Sequence, residues 1–259
     1  MKADLHFHPG FFGRGEKSHV TERTTPSLED IEKKAFDLGL SLLTITSCSS
    51  KNWIDRRWEA YMNEIEESAE SRILSPQAVR FSPLLYIIHG QELKTDRGDV
   101  NVLFAEKKVP IESDGNFYRV IDAAKDCGEN VLIGLNQLSN CTIFPSELIK
   151  LYEKRKIDFI ESWNSMDSKK NNLEAQAIEN LSRIPGIAVS DGHRLRDMGK
   201  AYTSINGEVH PGMNYSDLAK FVNEKIITKD YQSVKGKTSL IGKGLYLARL
   251  GNAILLPNY

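Results

Sequence analysis

Apolar positions along this chain fall into two patterns. Short runs rich in β-branched residues return at intervals, and between them lie longer stretches where apolar and charged positions mix at roughly helical period. The runs predict strands at Ala3–Phe7, Ser41–Thr46, Leu84–Leu93, Val100–Phe104, Asn130–Leu135, Ile157–Glu161 and Ile187–Ser190. Ser27 precedes Glu29 and Asp30, an N-cap followed by carboxylates that complement the exposed amides of a first turn, so a helix starts there and ends near Gly39. Trp53–Arg72, Tyr118–Asp126, Pro145–Lys154, Asn171–Ser182 and Asn214–Glu224 predict the remaining helices. Strand followed by helix, repeated, is the form of βα units on a mostly parallel sheet.

Size and charge narrow the picture. With 259 residues, 40% of them hydrophobic, the chain can build one core of the size of a single β/α barrel. One domain over residues 1–259 is therefore expected, with 206–259 as a C-terminal extension packed on the barrel. From Lys225 onward the basic residues Lys225, Lys229, Lys235, Lys237, Lys243 and Arg249 face only Asp230, which reads as a solvated tail with a short apolar hairpin. A net charge of −1 gives no basic field for nucleic acid or an anionic membrane. No stretch approaches the ~18 apolar residues of a membrane span, and the start Met1-Lys2-Ala3-Asp4 lacks a charged leader with an apolar region behind it. Cys48, Cys127 and Cys141 are odd in number and lack CxxC spacing, so neither a disulfide framework nor a zinc ribbon is expected, and a cytoplasmic protein is.

The candidate chemistry sits at strand ends. His6-Phe7-His8 closes the first strand, where alternation turns both imidazoles to one side. Ser190-Asp191-Gly192-His193 repeats that logic after Ile187-Ala188-Val189. Glu92 ends the otherwise apolar run Tyr86-Ile87-Ile88-His89-Gly90-Gln91, where an unpaired carboxylate is costly and a cation or arginine is required. In a β/α barrel such strand ends share one rim. Two neutral imidazoles, His6 and His8, with two carboxylates, Glu92 and Asp191, balance one divalent ion. His89 reads as a satisfied core group and His210, beside Pro211 and Gly212, as loop.

Asp4-Leu5-His6-Phe7-His8, Gly90-Gln91-Glu92 and Ser190-Asp191-Gly192-His193-Arg194 resemble, in order, motifs of the PHP (polymerase and histidinol phosphatase) family. Glu161-Ser162-Trp163-Asn164 is similar to its Glu-x-x-Asn strand end, and Gly199-Lys200-Ala201-Tyr202-Thr203 also agrees, so the resemblance covers residues 3–205. It implies an α/β fold, a distorted (β/α)7 TIM-like barrel, with a trinuclear cluster of zinc, manganese or iron that cleaves phosphate esters. The first metal position keeps its ligands His6, His8, Glu92 and Asp191. The second is reduced to Glu92, Asp99 and Asn136, because Gly98-Asp99 stands where the family has Gly-His and Leu135-Asn136-Gln137 where it has Ala-His-Pro. For the third, the resemblance points to His19, Cys48 and His193, with Ser47-Cys48 in place of Asp-His. One to two divalent ions, Zn, Mn or Fe, are expected rather than three.

The expected function is hydrolysis of a small phosphorylated molecule by metal-activated water, with Asp99, Asp191 and Arg194 as catalytic residues. Arg194 or Arg196 would hold phosphate oxygens, unless Asp197 pairs with them at the surface. Two alternatives stand beside it. One is a catalytically impaired PHP-fold protein that keeps one metal and acts in ligand binding or regulation, for which the Ser47, Cys48 and Asn136 changes argue. The other is amidohydrolase-like cleavage of a carbon–nitrogen bond, which a Lewis-acidic metal on a barrel rim also serves.

Overall fold

The computed structural model describes residues 1–10, 25–50, 53–54, 56–66, 72–82, 85–110 and 115–236. In chain order its elements are β1 (Lys2–Phe7), α1 (Leu28–Asp37), β2 (Leu42–Ser50), β3 (Trp53–Ile54), α2 (Arg57–Glu66), β4 (Arg72–Ser75), β5 (Ala78–Ser82), β6 (Leu85–Lys94), β7 (Asp99–Leu103), α3 (Phe117–Lys125), β8 (Leu132–Leu135), α4 (Pro145–Glu153), β9 (Phe159–Asn164), α5 (Lys169–Ser182), β10 (Gly186–Val189), β11 (Tyr202–Ile205), α6 (Tyr215–Ile227) and β12 (Tyr231–Val234). Ser27, Asn116, Ser168 and Asn214 each cap a following helix by accepting a backbone N–H with the side chain.

Staves β1, β2, β6, β7, β8, β9 and β10 stand in the order β10-β9-β8-β7-β6-β2-β1. The ring is nearly closed by a parallel bridge between Phe7 and Gly192 just beyond β10, with His8 N–H donating to Gly192 O and Asp191 N–H donating to His6 O, both at 2.8 Å. This is a distorted TIM-like barrel. Its distortion lies in β7, which runs antiparallel to β6 and β8 while the other staves run parallel to their neighbours in the ring. The turn from Lys94 to Asp99 is too short for the crossover that a parallel partner needs.

The interior is filled from every stave: Ala3, Leu5, Leu42, Tyr86, Ile88, Leu103, Leu132, Phe159, Ile187 and Val189 form one buried cluster, which α6 joins with Leu218, Val222 and Ile226. Phe159 fills this space because Gly134 faces it. A Cβ there would lie 2.1 Å from the ring, so Gly134→Ala is expected to cost about 1–3 kcal/mol by overpacking. Outside, α1 and α2 cover β1, β2 and β6, and α3, α4 and α5 cover β7, β8 and β9.

Two expectations need correction. Trp53–Arg72 is not one helix: Trp53–Ile54 pairs with β2 and Arg72 opens the β4–β5 hairpin, leaving α2 between. The hairpin's Pro76-Gln77 turn and mixed polarity hide it among helical-looking residues. The sheet is also less parallel than expected, because β11 and β12 add antiparallel strands beside β1. Their four-residue segments each hold two polar residues between apolar ends, too short and too polar to stand out. The C-terminal residues through 236 pack on the barrel through α6 and β12, and 237–259, with the expected hairpin, lie outside the described residues.

Candidate metal centre

β1 carries one residue more than β2 opposite it: Asp4 pairs with Leu43 but Phe7 with Ile45. Such a bulge re-aims a side chain. Leu5 thus joins the interior cluster, Phe7 packs outside against α1, and His6 and His8 both reach the site.

His6 Nδ1 lies 2.5 Å from Glu161 Oε1, and His8 Nδ1 lies 2.9 Å from Thr46 O. Oxygen accepts in both contacts, so each ring carries hydrogen on Nδ1 and, when neutral, a lone pair on Nε2. Those two Nε2 atoms are 2.7 Å apart. Facing lone pairs at that distance require a shared proton or a cation. Asp191 Oδ1 stands 3.6 Å from both, and Glu92 Oε2 stands 3.6 Å from His8 Nε2.

Each ligand is steadied from behind. Asp191 Oδ2 accepts from Gln137 Nε2 at 2.8 Å and Asn164 Nδ2 at 3.0 Å, while Asn164 Nδ2 also reaches Glu161 Oε2. Glu92 Oε1 accepts from Asn136 Nδ2 at 3.2 Å, and Cys48 stands directly across the β2–β6 ladder from Glu92. His193 Nδ1 lies 3.0 Å from Asp191 O, and its ring stacks on His8 with centroids 4.9 Å apart. Asp191 and Gln137, which bond each other, both hold positive φ, 47° and 39°, a strained conformation that marks sites where placement matters more than comfort.

Burial and charge set the proton inventory. Desolvation pulls His6 down, but the carboxylates of Glu161 and Asp191 outweigh it and raise its pKa to about 10. His8 and His193 are lowered, chiefly by burial. Glu161 is raised by burial, against the opposing pull of His6. Burial raises Glu92, yet Lys94 and His6 bring it below its ordinary value. Without an ion, the added proton therefore belongs to His6. The donor set fits a divalent ion: His6, His8 and Glu92 turn ligand atoms within 4.8 Å of one another, as do His8, Asp191 and His193.

Other expected residues lie elsewhere. Asp99 is at the rim, 2.8 Å from Lys94 Nζ, and like Cys48 it belongs to neither ligand group among the described residues. Burial and the nearby Glu92 raise its pKa, and burial pushes up the Cys48 thiol, so that sulfur keeps its proton in the absence of an ion. Arg194 is half-buried next to His193, Arg196 is exposed, and Asp197 pairs with Lys200 rather than with either arginine. His19 lies outside the described residues. His89 faces outward, stacked on Trp58 and bonded to Gln77 and Ser47, beside a cavity of about 500 Å³ that does not include the metal ligands.

Three nearby groups escaped the sequence reading as site members. Glu161 stood only as part of a motif, although a glutamate on the inner face of an apolar strand end was a usable signal. Arg57, buried and donating to Pro9 O close to His8, and Lys94 are placed by tertiary structure alone.

The barrel is similar to that of PsfC from Pseudomonas syringae, with a TM-score of 0.60 and 13% identity over 98% of this chain and 97% of that one. A two-domain protein from Bacteroides vulgatus, containing a predicted PHP-like metal-dependent phosphoesterase, matches with a TM-score of 0.57 and 15% identity over 91% of this chain and 65% of the other. No curated protein matches the sequence. The family model described as PHP-associated matches residues 169–222, from α5 through most of α6. In this segment and in its barrel the chain is similar to PHP proteins. The rim is uneven: side chains from β1, β6 and the end of β10 form two ligand groups that share His8, whereas of Asp99 and Asn136, where the resemblance leads one to expect histidines, Asp99 pairs with Lys94 and Asn136 bonds Glu92.

Proposed function

We propose that this protein is a PHP-type, metal-dependent hydrolase of phosphate esters that acts on a small phosphorylated molecule. The observation that carries the proposal is the pair of imidazole Nε2 atoms facing each other at 2.7 Å, with Asp191 Oδ1 3.6 Å from each. His6, His8, Glu92 and Asp191, with His193 beside them, would hold a divalent ion, zinc or manganese by donor type. When bound, such an ion supplies Lewis acidity to a phosphoryl oxygen and lowers the pKa of water.

The remaining work falls to the chain. Glu161 and Thr46 hold the imidazoles in the tautomer that presents Nε2. Gln137 and Asn164 occupy one oxygen of Asp191 and so aim the other. Asp99, raised by burial and by Glu92, would take a proton from the water with the oxygen that Lys94 leaves free. Arg194, and Arg57 close to His8, offer guanidinium groups to the phosphate. Three free cysteines support a reducing compartment, the cytoplasm.

A second reading, an impaired enzyme that keeps one ion for binding or regulation, is favoured by one observation, the Lys94–Asp99 pair where the resemblance sets a second ion. The two separate in one experiment. Purified protein is assayed for metals by elemental mass spectrometry and for turnover of a panel of phosphate monoesters with added Mn²⁺ or Zn²⁺. Metal-dependent turnover abolished by His8→Ala supports the hydrolase, and a metal-loaded protein that turns over no ester leaves the binding role.

A further inference from the structure

β6 and β7 form an antiparallel ladder in which Lys94 pairs with Asp99 and Glu92 with Asn101. Alternation puts these four side chains on the inner face, and Asn136, at the end of β8, approaches the same place by donating to Glu92. Lys94 Nζ lies 2.8 Å from Asp99 Oδ2. Asn136 Oδ1 and both amide atoms of Asn101 are buried with no partner. An exposed ion pair would explain Lys94 and Asp99 but not the amides, since buried polar atoms are nearly always satisfied. Two carboxylates and two unpartnered amide oxygens make an oxygen-only set suited to a hard cation.

We propose that Lys94 is a built-in cation that takes the place of a second divalent ion: its ammonium, tethered to Asp99, neutralises the Glu92–Asp99 side of the rim and bars an ion from it. The inference rests on the reading of His6, His8, Glu92 and Asp191 as the first ion's site. The protein then binds one divalent ion, and its second positive charge at the rim is covalently attached. Removing that charge leaves the oxygens of Glu92, Asp99, Asn101 and Asn136 uncompensated, and they take up an ion instead.

The test counts Mn²⁺ bound per chain, by elemental analysis after equilibrium dialysis and by calorimetry, for the native protein, Lys94→Ala and Lys94→Gln. One ion is expected for the native protein and two for each variant, returning to one in the Lys94→Ala, Asp99→Ala double variant. Circular dichroism and retention of the first ion report folding. Native protein binding two ions with Lys94 in place overturns the proposal whether or not any variant folds. Folded variants that bind no more than the native protein overturn it as well. If the native protein binds none, the first site fails, yet a variant that gains an ion still supports Lys94. A native count of one, unchanged in the variants, defeats Lys94 alone.

Discussion

The two sides of the barrel rim meet the same electrostatic need in opposite ways. Where β1 approaches β10, His6, His8 and Asp191 turn lone pairs toward one another, and the groups behind them, Glu161, Thr46, Gln137 and Asn164, are acidic or neutral. Where β6, β7 and β8 meet, Glu92, Asp99 and Asn136 form a comparable oxygen-rich set, but an ammonium is within bonding distance of Asp99. The first arrangement is unfavourable until a proton or metal joins it, and the second carries its own cation. The choice between an ion and a lysine is thus made by which side chain the strand register brings to the rim.

The sharpest way to break this contrast is to remove a lone pair from the first side. His8→Ala is expected to eliminate the tightest metal and with it turnover. Unchanged metal stoichiometry after purification would place the ion elsewhere. A milder intervention leaves the ligands and loosens their support. Glu161→Gln keeps a hydrogen bond to His6 but removes the charge behind it, and metal affinity should fall about 10- to 100-fold in competition with a chelator. An affinity equal to that of the native protein would mean that Glu161 does not orient His6.

Much of this site was legible in the sequence because strand alternation and strand ends are local. His6, His8, Asp191 and His193 follow from an imidazole or carboxylate at every second position after an apolar run, and Glu92 from a carboxylate where an apolar strand stops. Five of the helices and the seven staves were expected near their observed places. What stayed hidden depends on ring closure or register. The extra residue in β1 has no composition of its own, and Glu161 becomes the partner of His6 only when β9 and β1 share a barrel. Lys94 reads as an ordinary charge at a strand end until the β6–β7 turn sets it opposite Asp99.

The contrast sharpens with pH. His6 is raised to about 10 from an ordinary 6.5, so the protein without an ion keeps a proton on it across neutral pH. Binding a metal expels that proton, and affinity should rise roughly tenfold per pH unit toward pH 10 and then level off. The sign also holds for stability: the His6 contribution is fully present below about pH 6.5 and is lost as pH rises through 10. Calorimetry in buffers of different ionisation enthalpy reads the released proton directly, and Glu161→Gln should weaken the pH dependence. A flat profile would mean that the facing rings share no proton.

The smallest expected effect belongs to Asn136→His. The resemblance to PHP motifs puts a histidine at this position, and a ligand repair of that kind would ordinarily restore an ion. Here the substitution leaves Lys94 on Asp99, and an incoming divalent ion would meet an ammonium at close range, so the metal count of the single variant should stay at one. Combined with Lys94→Ala, the same histidine should tighten a second ion beyond what Lys94→Ala alone achieves, because an imidazole replaces a neutral amide oxygen. A second ion bound by Asn136→His with Lys94 intact would show that ligand type, rather than the lysine, divides the two sides of the rim.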